Sequence, residues 1–245
     1  MISLKKKIRA VLFDWDGTLV NSLDIKIRNA GKLFQQEFDL SPQKVEEAYR
    51  FHSGIPRRQL FTAILADMGK PDLEGEEFKN LSREFSKLNT KALSDPTLPE
   101  LIPPATPLIL NSLQEKGCLL FISSSAATEE LQQIAASLGL SHYFFASGGE
   151  IMGSRPGFNK GVDHVSHVCE KYELSRDELL FVGDDLSDIR LGHEADVMTI
   201  VRMGTYPLDV LKDYNADAVI QSLEEITSLP GLTFLERPVN GKSRI

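Results

Sequence analysis

Residues 8–20 of the chain read IRAVLFDWDGTLV. The nearly continuous apolar run Ile8–Phe13 is typical of a strand that is buried on both faces of a sheet. Because strand side chains alternate, Asp14 and Asp16 point the same way, and Gly17 allows the backbone to turn sharply just beyond them. The sequence therefore predicts a buried strand that ends in two converging carboxylates.

Further short apolar runs alternate with helical patterns along the chain. The other predicted strands are Cys118–Ile122, His142–Ala146, Leu179–Val182, Val197–Val201 and Ala218–Ile220. The helical patterns are Ala105–Lys116, Glu129–Leu138, Gly161–Tyr172, Asp188–Glu194 and Tyr206–Tyr214. This alternation predicts an α/β fold with a doubly wound parallel sheet. In such sheets, ligands bind at the carboxyl ends of the strands.

One long segment interrupts the alternation. Residues 23–95 contain amphipathic helical patterns, including Val45–Phe51, Leu60–Met68 and Phe78–Ala92, and no strand-like run. A loop of this length is not expected within a compact domain. We therefore expect a discontinuous core, made of residues 1–22 and 96–245, with residues 23–95 inserted as a helical domain.

A second acidic cluster follows the predicted strand Leu179–Val182. Asp184 leaves this strand beside the end of the first one, and Asp188 lies one helical turn further on. Asp185 and Ser187 are instead interpreted as caps of the next helix. Carboxylates gathered at one sheet edge repel each other unless a divalent cation neutralises them, and oxygen ligands suit Mg²⁺. The predicted metal ligands are Asp14, Asp16, Asp184 and Asp188.

Hydroxyl groups and a cation complete the predicted site. Ser123, Ser124 and Ser125 follow the second strand, where hydroxyl and backbone N–H groups at a strand-to-helix turn form an anion site. We predict that Ser123 and Ser124 bind an anionic group. A serine nucleophile is less favoured, because no Gly-x-Ser-x-Gly motif surrounds these residues. Lys160 is the predicted cation, with Arg155 as a competing base.

Composition excludes several classes of partner. The 245 residues include 27 Lys and Arg against 35 Asp and Glu, a net charge of −8, with no basic stripe for nucleic acid. Two cysteines lie within apolar patterns and show no metal-ligand spacing, which is typical of a reduced compartment. No apolar run approaches the roughly 18 residues of a membrane span. We expect a cytoplasmic protein, a monomer or homodimer, that binds neither nucleic acid nor a membrane.

Three other conspicuous side chains are interpreted as structural. Trp15 alternates away from the two aspartates and is predicted to pack in the core. His164 and His167 are predicted to lie on the solvent side of their helix, because Val165 and Val168 define its apolar face.

Taken together, these segments resemble the haloacid dehalogenase superfamily. The Asp-x-Asp-Gly-Thr/Val motif of that family matches Asp14–Thr18, and its Gly-Asp-x-x-x-Asp motif matches Gly183–Asp188. Ser123 is similar to the family's serine or threonine that closes a strand, and Lys160 to its upstream lysine. The four motifs occur in family order and cover roughly residues 8–230.

The resemblance implies a division of labour among the acidic residues. Asp14 would be a nucleophile that forms an aspartyl-phosphate. Asp16 would protonate the leaving alcohol and then deprotonate the hydrolytic water. Mg²⁺ would be held by Asp14, the backbone carbonyl of Asp16 and Asp184, with Asp188 in support.

The resemblance also implies how substrate is held. Ser123 and Lys160 would bind the non-bridging phosphate oxygens. The helical insertion resembles the small cap of phosphoglycolate-phosphatase-like and phosphoglucomutase-like relatives, and residues 52–58 resemble the substrate loop of that cap. Arg57 or Arg58 in this loop would pair with an anionic leaving group.

The activity implied is Mg²⁺-dependent hydrolysis of a small phosphorylated metabolite. Asp16 argues against the haloalkanoate dehalogenases of the superfamily, which lack an acid at that position. Two alternatives remain: a sugar phosphomutase of the same fold, and a catalytically silent binding protein on this scaffold.

Overall fold

The computed structural model describes residues 6–95, 98 and 100–234. The remaining positions of the predicted core segments, 1–5, 96, 97, 99 and 235–245, lie outside the described residues. The strands are β1 Lys6–Ile8, β2 Ala10–Phe13, β3 Leu119–Ala127, β4 Ile151–Ser154, β5 Leu179–Gly183, β6 Met198–Arg202, β7 Ala218–Ile220 and β8 Leu232–Phe234.

Helices occupy most of the intervening chain. The α-helices are α1 Leu23–Phe38, α2 Pro42–Phe51, α3 Arg57–Asp67, α4 Gly75–Leu93, α5 Ala105–Glu115, α6 Thr128–Ser137, α7 Ser141–Ser147, α8 Val162–Tyr172, α9 Leu186–Glu194 and α10 Leu208–Asp213. Short 3₁₀ helices span Arg176–Glu178 and Leu223–Ser228. Within the described ranges, no helix is both long enough and apolar enough to cross a membrane.

The main sheet is parallel, and its strand order positions the site. In the described chain it has six strands in the order β4-β3-β2-β5-β6-β7. Phe13 at the end of β2 is in register with Ile122 of β3 and Val182 of β5. The residues that follow these three positions therefore emerge at one edge of the sheet. The predicted doubly wound parallel sheet is confirmed.

Apolar side chains on both faces of β2 explain its central place. Val11 and Phe13 join one buried cluster, and Leu12 joins another on the opposite face. Trp15 is fully buried in the first cluster, which confirms its predicted core role. A strand covered on both faces by apolar clusters is held in one register, since a one-residue slip would exchange its faces.

The predicted strand His142–Ala146 is wrong. This stretch lies in helix α7, and the strand at that edge of the sheet is β4, Ile151–Ser154. Tyr143 and Phe144 are buried, whereas Phe145 is 58% exposed, so the segment has one apolar side. An apolar run this short does not distinguish a strand from a helix by periodicity.

Helices α1 to α4 pack around an apolar cluster of their own. Phe61 contacts Phe34 and Phe85 edge to face, with ring centroids 5.2 and 5.4 Å apart. This cluster is separate from the clusters that cover the sheet. The separation supports our proposal that residues 23–95 form an inserted helical domain, which we call the cap.

Truncating the central ring of the cap should measure how much its cluster stabilises the fold. We expect Phe61→Ala to lower the free energy of unfolding by about 3–5 kcal/mol, because it leaves a cavity among fully buried side chains. Phe51→Ala is the matched control, since Phe51 is 83% exposed and its loss should change stability by less than about 0.5 kcal/mol. Urea unfolding measures both, and equal losses would contradict the prediction.

Candidate active site

Three buried carboxylates meet at the carboxyl ends of β2 and β5. Asp14 follows β2, Asp184 follows β5 and Asp188 lies in the first turn of α9. Each contributes an oxygen to a group whose atoms all lie within 4.8 Å of one another. The structure thus brings together three of the four predicted metal ligands, while the carboxylate of Asp16 lies outside this group.

Lys160 joins the carboxylate cluster. Its Nζ lies 2.6 Å from Asp14 Oδ1 and 2.6 Å from Asp188 Oδ1. The lysine is buried and precedes α8, as predicted for a cation that reaches over the strand ends. One ammonium group against three buried carboxylates leaves the cluster short of positive charge.

The raised pKa values of Asp14 and Asp184 reflect this shortage of positive charge. Burial raises the pKa of Asp14 well above its usual range, and the carboxylates of Asp188 and Asp184 add to the rise against the opposing effect of Lys160. Burial, followed by repulsion from Asp188, raises the pKa of Asp184 to about 7. A donor set of buried carboxylate oxygens that lacks positive charge fits a hard divalent cation.

Polar groups hold these carboxylates in place. Thr18 Oγ1 donates to Asp184 Oδ1 at 2.8 Å, and Thr205 donates to Asp184 Oδ2. Asp188 Oδ2 accepts from the backbone N–H groups of Asp184 and the next residue, both at 3.0 Å. Gly17 has a φ of +85°, and a Cβ there would collide with the Asp184 carboxylate. The turn after β2 therefore requires glycine.

Asp16 is held by Lys26 of the cap and by Ser22, the last residue of the first core segment. Lys26 Nζ donates to Asp16 Oδ2 at 2.6 Å, and Ser22 donates to Asp16 Oδ1. Lys26 is buried, and sequence reasoning missed it. One signal was present: Lys26 is spaced four and seven residues before Ala30 and Leu33, on the apolar side of α1.

The three serines predicted to follow the second strand lie inside β3, which extends to Ala127, and they occupy two environments. Ser123 is fully buried, and its Oγ lies 2.9 Å from His164 Nδ1. Ser124 and Ser125 line the cavity above the carboxylates. Anion binding by Ser123 and Ser124 stays a prediction, and the pairing with His164 defines where the Ser123 hydroxyl lies.

The predicted solvent position of His164 is wrong. The side chain is fully buried on α8, whereas Val162 at the start of the helix is 39% exposed. The buried face therefore includes His164 together with Val165 and Val168. Burial lowers the pKa of His164 to about 3, and the charge of Lys160 acts in the same direction. The imidazole is therefore neutral at neutral pH.

A cavity of about 80 Å³ separates the carboxylate cluster from the cap. Asp14, Asp184 and Lys160 line its core side. Its cap side is lined by side chains that include Lys26, Tyr49, Arg57 and Phe85. The cavity has room for a phosphoryl group and a leaving group of a few heavy atoms.

Part of the predicted substrate loop, residues 52–58, lines the cavity and contacts the core. Ser53 Oγ donates to Asp185 Oδ2 at 3.3 Å, and Ser125 Oγ donates to the Gly54 carbonyl at 3.3 Å. Gly54 has a φ of +83°, and a Cβ there would collide with Ser187. Close approach of the loop to the core thus depends on glycine at this position.

The two arginines of this loop diverge. Arg57 lines the cavity and forms an ion pair with Glu130 of α6. Arg58 does not reach the cavity, because it pairs with Asp72 at 2.6 Å and stacks over the Phe78 ring, 4.9 Å from its centroid. Of the two predicted substrate-binding arginines, the structure places Arg57 at the site.

Comparisons with known proteins identify a family and relatives for this chain. The family model of the haloacid dehalogenase-like hydrolases matches residues 11–202. The chain is 30% identical over 195 residues to the phosphoglycolate phosphatase of Pasteurella multocida, covering 77% of this chain and 83% of that protein. It is 27% identical over 225 residues to PpaX of Clostridium perfringens, a protein named as a pyrophosphatase, covering 91% and 97%.

The fold comparison covers nearly the whole chain. The crystal structure of a predicted phosphoglycolate phosphatase from Haemophilus somnus 129pt has a TM-score of 0.74 to this structure at 22% sequence identity. The match covers 90% of this chain and 97% of that one. At this identity the likeness shows the shared fold, cap helices included, and says nothing about substrate.

His164 should make stability sensitive to mild acid. The unfolded chain binds a proton at this histidine below about pH 6.5, whereas the folded protein binds it only near its lowered pKa of about 3. The stability from neutral His164 is therefore complete above pH 6.5 and is lost as pH falls towards 3. From pH 7 to pH 5 the free energy of unfolding of the unsubstituted protein should fall. We expect that fall to be about 2 kcal/mol smaller in His164→Gln.

Urea unfolding at pH 7 and pH 5 measures this fall in each protein. The buried carboxylates titrate in both proteins, so their contribution cancels when the two falls are subtracted. His142→Gln is the matched control, since His142 is exposed on α7, and it should keep the pH dependence of the unsubstituted protein. If the free energy of unfolding falls equally in His164→Gln and in the unsubstituted protein, His164 is not held neutral by the fold and the prediction is wrong.

Proposed function

The chain belongs to the haloacid dehalogenase-like hydrolases, and from this membership we propose that it is a Mg²⁺-dependent phosphatase that hydrolyses a small phosphomonoester through an aspartyl-phosphate. One observation carries the proposal: Asp14 lines the cavity, with Lys160 2.6 Å away and two further buried carboxylates beside it. Relatives named as phosphatases over most of the chain support the same reaction class.

The buried carboxylates fit Mg²⁺ in their donor type and in their need for positive charge. Asp14, Asp184 and the backbone carbonyl of Asp16 would hold the ion, and Asp188 would position Lys160 and complete the acidic cluster. When bound, the ion supplies charge that allows a carboxylate to approach an anionic phosphoryl group.

Asp14 is the proposed nucleophile. A carboxylate oxygen of Asp14 forms a bond to phosphorus as the bond from phosphorus to the ester oxygen breaks. Lys160 neutralises the non-bridging oxygens, and the serines of β3, of which Ser124 and Ser125 line the cavity, add hydroxyl and N–H donors. Water then attacks phosphorus, the bond to Asp14 breaks, and inorganic phosphate leaves.

Asp16 is the proposed acid and base. It lies two residues after the nucleophile, lines the same cavity and is anchored by Lys26 and Ser22. Its proton passes to the departing alkoxide, which leaves as the alcohol, and Asp16 then takes a proton from the attacking water. The predicted substrate loop, residues 52–58, is held against the core by the hydrogen bonds of Ser53 to Asp185 and of Ser125 to Gly54. It would limit the access of water to the cavity.

Phosphate release tests the function directly. We expect inorganic phosphate from a panel of alkyl phosphates, sugar phosphates, p-nitrophenyl phosphate and pyrophosphate with Mg²⁺, and none with EDTA. Asp14→Asn should lower the rate by more than about 10³-fold with its fold intact. Asp209→Asn, an exposed aspartate on α10, is the matched control and should keep full activity.

The outcomes separate the candidate functions. An active Asp14→Asn variant would remove the nucleophile assignment. Isomerisation of a sugar phosphate without net phosphate release would identify a phosphomutase. A folded protein that releases no phosphate from any member of the panel would identify a binding protein.

The role of Asp16 predicts a dependence on leaving group. Asp16→Asn should slow hydrolysis of an alkyl phosphate by about 10²–10⁴-fold, because the alkoxide loses its proton donor. With p-nitrophenyl phosphate, whose leaving group needs no proton, the first step should persist. Rapid mixing should then show a burst of one equivalent of nitrophenol followed by slow turnover. Equal slowing of both substrates without a burst would contradict the assignment.

A further inference from the structure

The cap end of the cavity contains a second group of charges. Lys26 Nζ lies 2.6 Å from Asp16 Oδ2 and 3.9 Å from Glu130 Oε1, and Arg57 forms an ion pair with Glu130 Oε2. Two cations therefore face two carboxylates. Exposure of the Lys26, Arg57 and Glu130 side chains is 5%, 10% and 1%, so solvent screens these pairs weakly.

Glu130 is the least exposed member of this group. It belongs to α6 of the core, yet it accepts hydrogen bonds from two cap side chains, Ser86 Oγ at 2.6 Å and Asn89 Nδ2 at 3.0 Å. Burial by itself raises the pKa of Glu130, but the charges of Arg57 and Lys26, together with hydrogen bonds from Ser86 and Arg57, hold the pKa below its usual range. Glu130 is thus an ionised carboxylate behind the cavity wall.

The cations that line the cavity, among the residues that the structure describes, each have a carboxylate partner. Lys160 pairs with Asp14, Lys26 with Asp16 and Arg57 with Glu130. The rest of the cap wall is largely apolar and includes Leu23, Ile55, Leu60 and Phe85. A leaving group that carries a carboxylate or a second phosphate would enter this space without an uncommitted cation to compensate its desolvation.

We propose that Glu130 is a specificity-determining residue: by neutralising Arg57 it restricts the enzyme to phosphomonoesters whose leaving group is a small, uncharged alcohol. The inference rests on the proposed phosphatase function. Glu130 does not line the cavity itself and acts through Arg57. The Tyr49 hydroxyl, which burial keeps protonated by raising its pKa, is a neutral donor on the cap side of the cavity for a hydroxyl on such a leaving group.

Two substrates of equal length test the proposal. 2-Hydroxyethyl phosphate and 2-phosphoglycolate differ in whether the leaving group ends in a hydroxyl or a carboxylate. We expect a higher kcat/KM for hydroxyethyl phosphate in the unsubstituted protein. Preference for phosphoglycolate there would overturn the proposal without any variant.

Glu130→Gln keeps the shape of the side chain and releases the charge of Arg57. We expect it to shift the ratio of the two kcat/KM values towards phosphoglycolate by about 10- to 100-fold, the effect of one charge-assisted hydrogen bond. Adding Arg57→Met to this variant should abolish the shift. Glu129→Gln, the exposed neighbour on α6, is the matched control and should leave the ratio unchanged.

The remaining outcomes are distinguishable. If Glu130→Gln lowers both kcat/KM values equally, Glu130 only holds the cap to the core and the proposal is overturned, while the phosphatase function stands. If the unsubstituted protein hydrolyses neither substrate nor p-nitrophenyl phosphate, the phosphatase function fails and this inference fails with it. A thermal melt of each variant separates loss of fold from change of selectivity.

Discussion

Mutual repulsion among buried carboxylates is the constraint on which this structure depends. Asp14, Asp184 and Asp188 offer oxygens within 4.8 Å of one another, and Lys160 is the single ammonium group in contact with them among the described residues. Such a cluster destabilises the fold unless more positive charge arrives. The proposed Mg²⁺ and the phosphoryl chemistry follow from this shortage, since a site that attracts a divalent cation also screens the attack of one anion on another.

At the cap end of the cavity, buried charges are compensated by other protein side chains. The cap helices have their own apolar cluster, and members of that cluster, including Tyr49, Leu60 and Phe85, also line the cavity. There Lys26 and Arg57 are matched by Asp16 and Glu130, and charge is balanced within the protein. The two ends of one cavity thus differ in kind: the core end lacks positive charge, and the cap end is neutral. With the proposed Mg²⁺ bound at the core end, this difference would orient a phosphomonoester with its anionic group towards Asp14 and its alcohol towards the cap.

The core and its acidic residues were predictable because each depends on a local pattern. A fully apolar run followed by Asp14 predicts a central strand that ends in a carboxylate, and parallel strands bring such ends to one edge. The stretch His142–Ala146 was misread because five residues are too few to show a period. His164 was misread because the exposed Val162 shifted the apparent apolar face by one position.

What the sequence by itself determined is the chemistry of the strand ends: the acidic residues, the lysine that accompanies them and the helical insertion between motifs. Each of these features follows from a local pattern, such as an apolar run that ends in a polar residue or an amphipathic helical period, and such a pattern depends on secondary structure alone. Only the tertiary structure decided that Lys26 anchors Asp16, that Ser123 pairs with His164 and that Glu130 neutralises Arg57. Each of these contacts joins residues on different elements, and a buried charge acquires its partner only when packing brings those elements together.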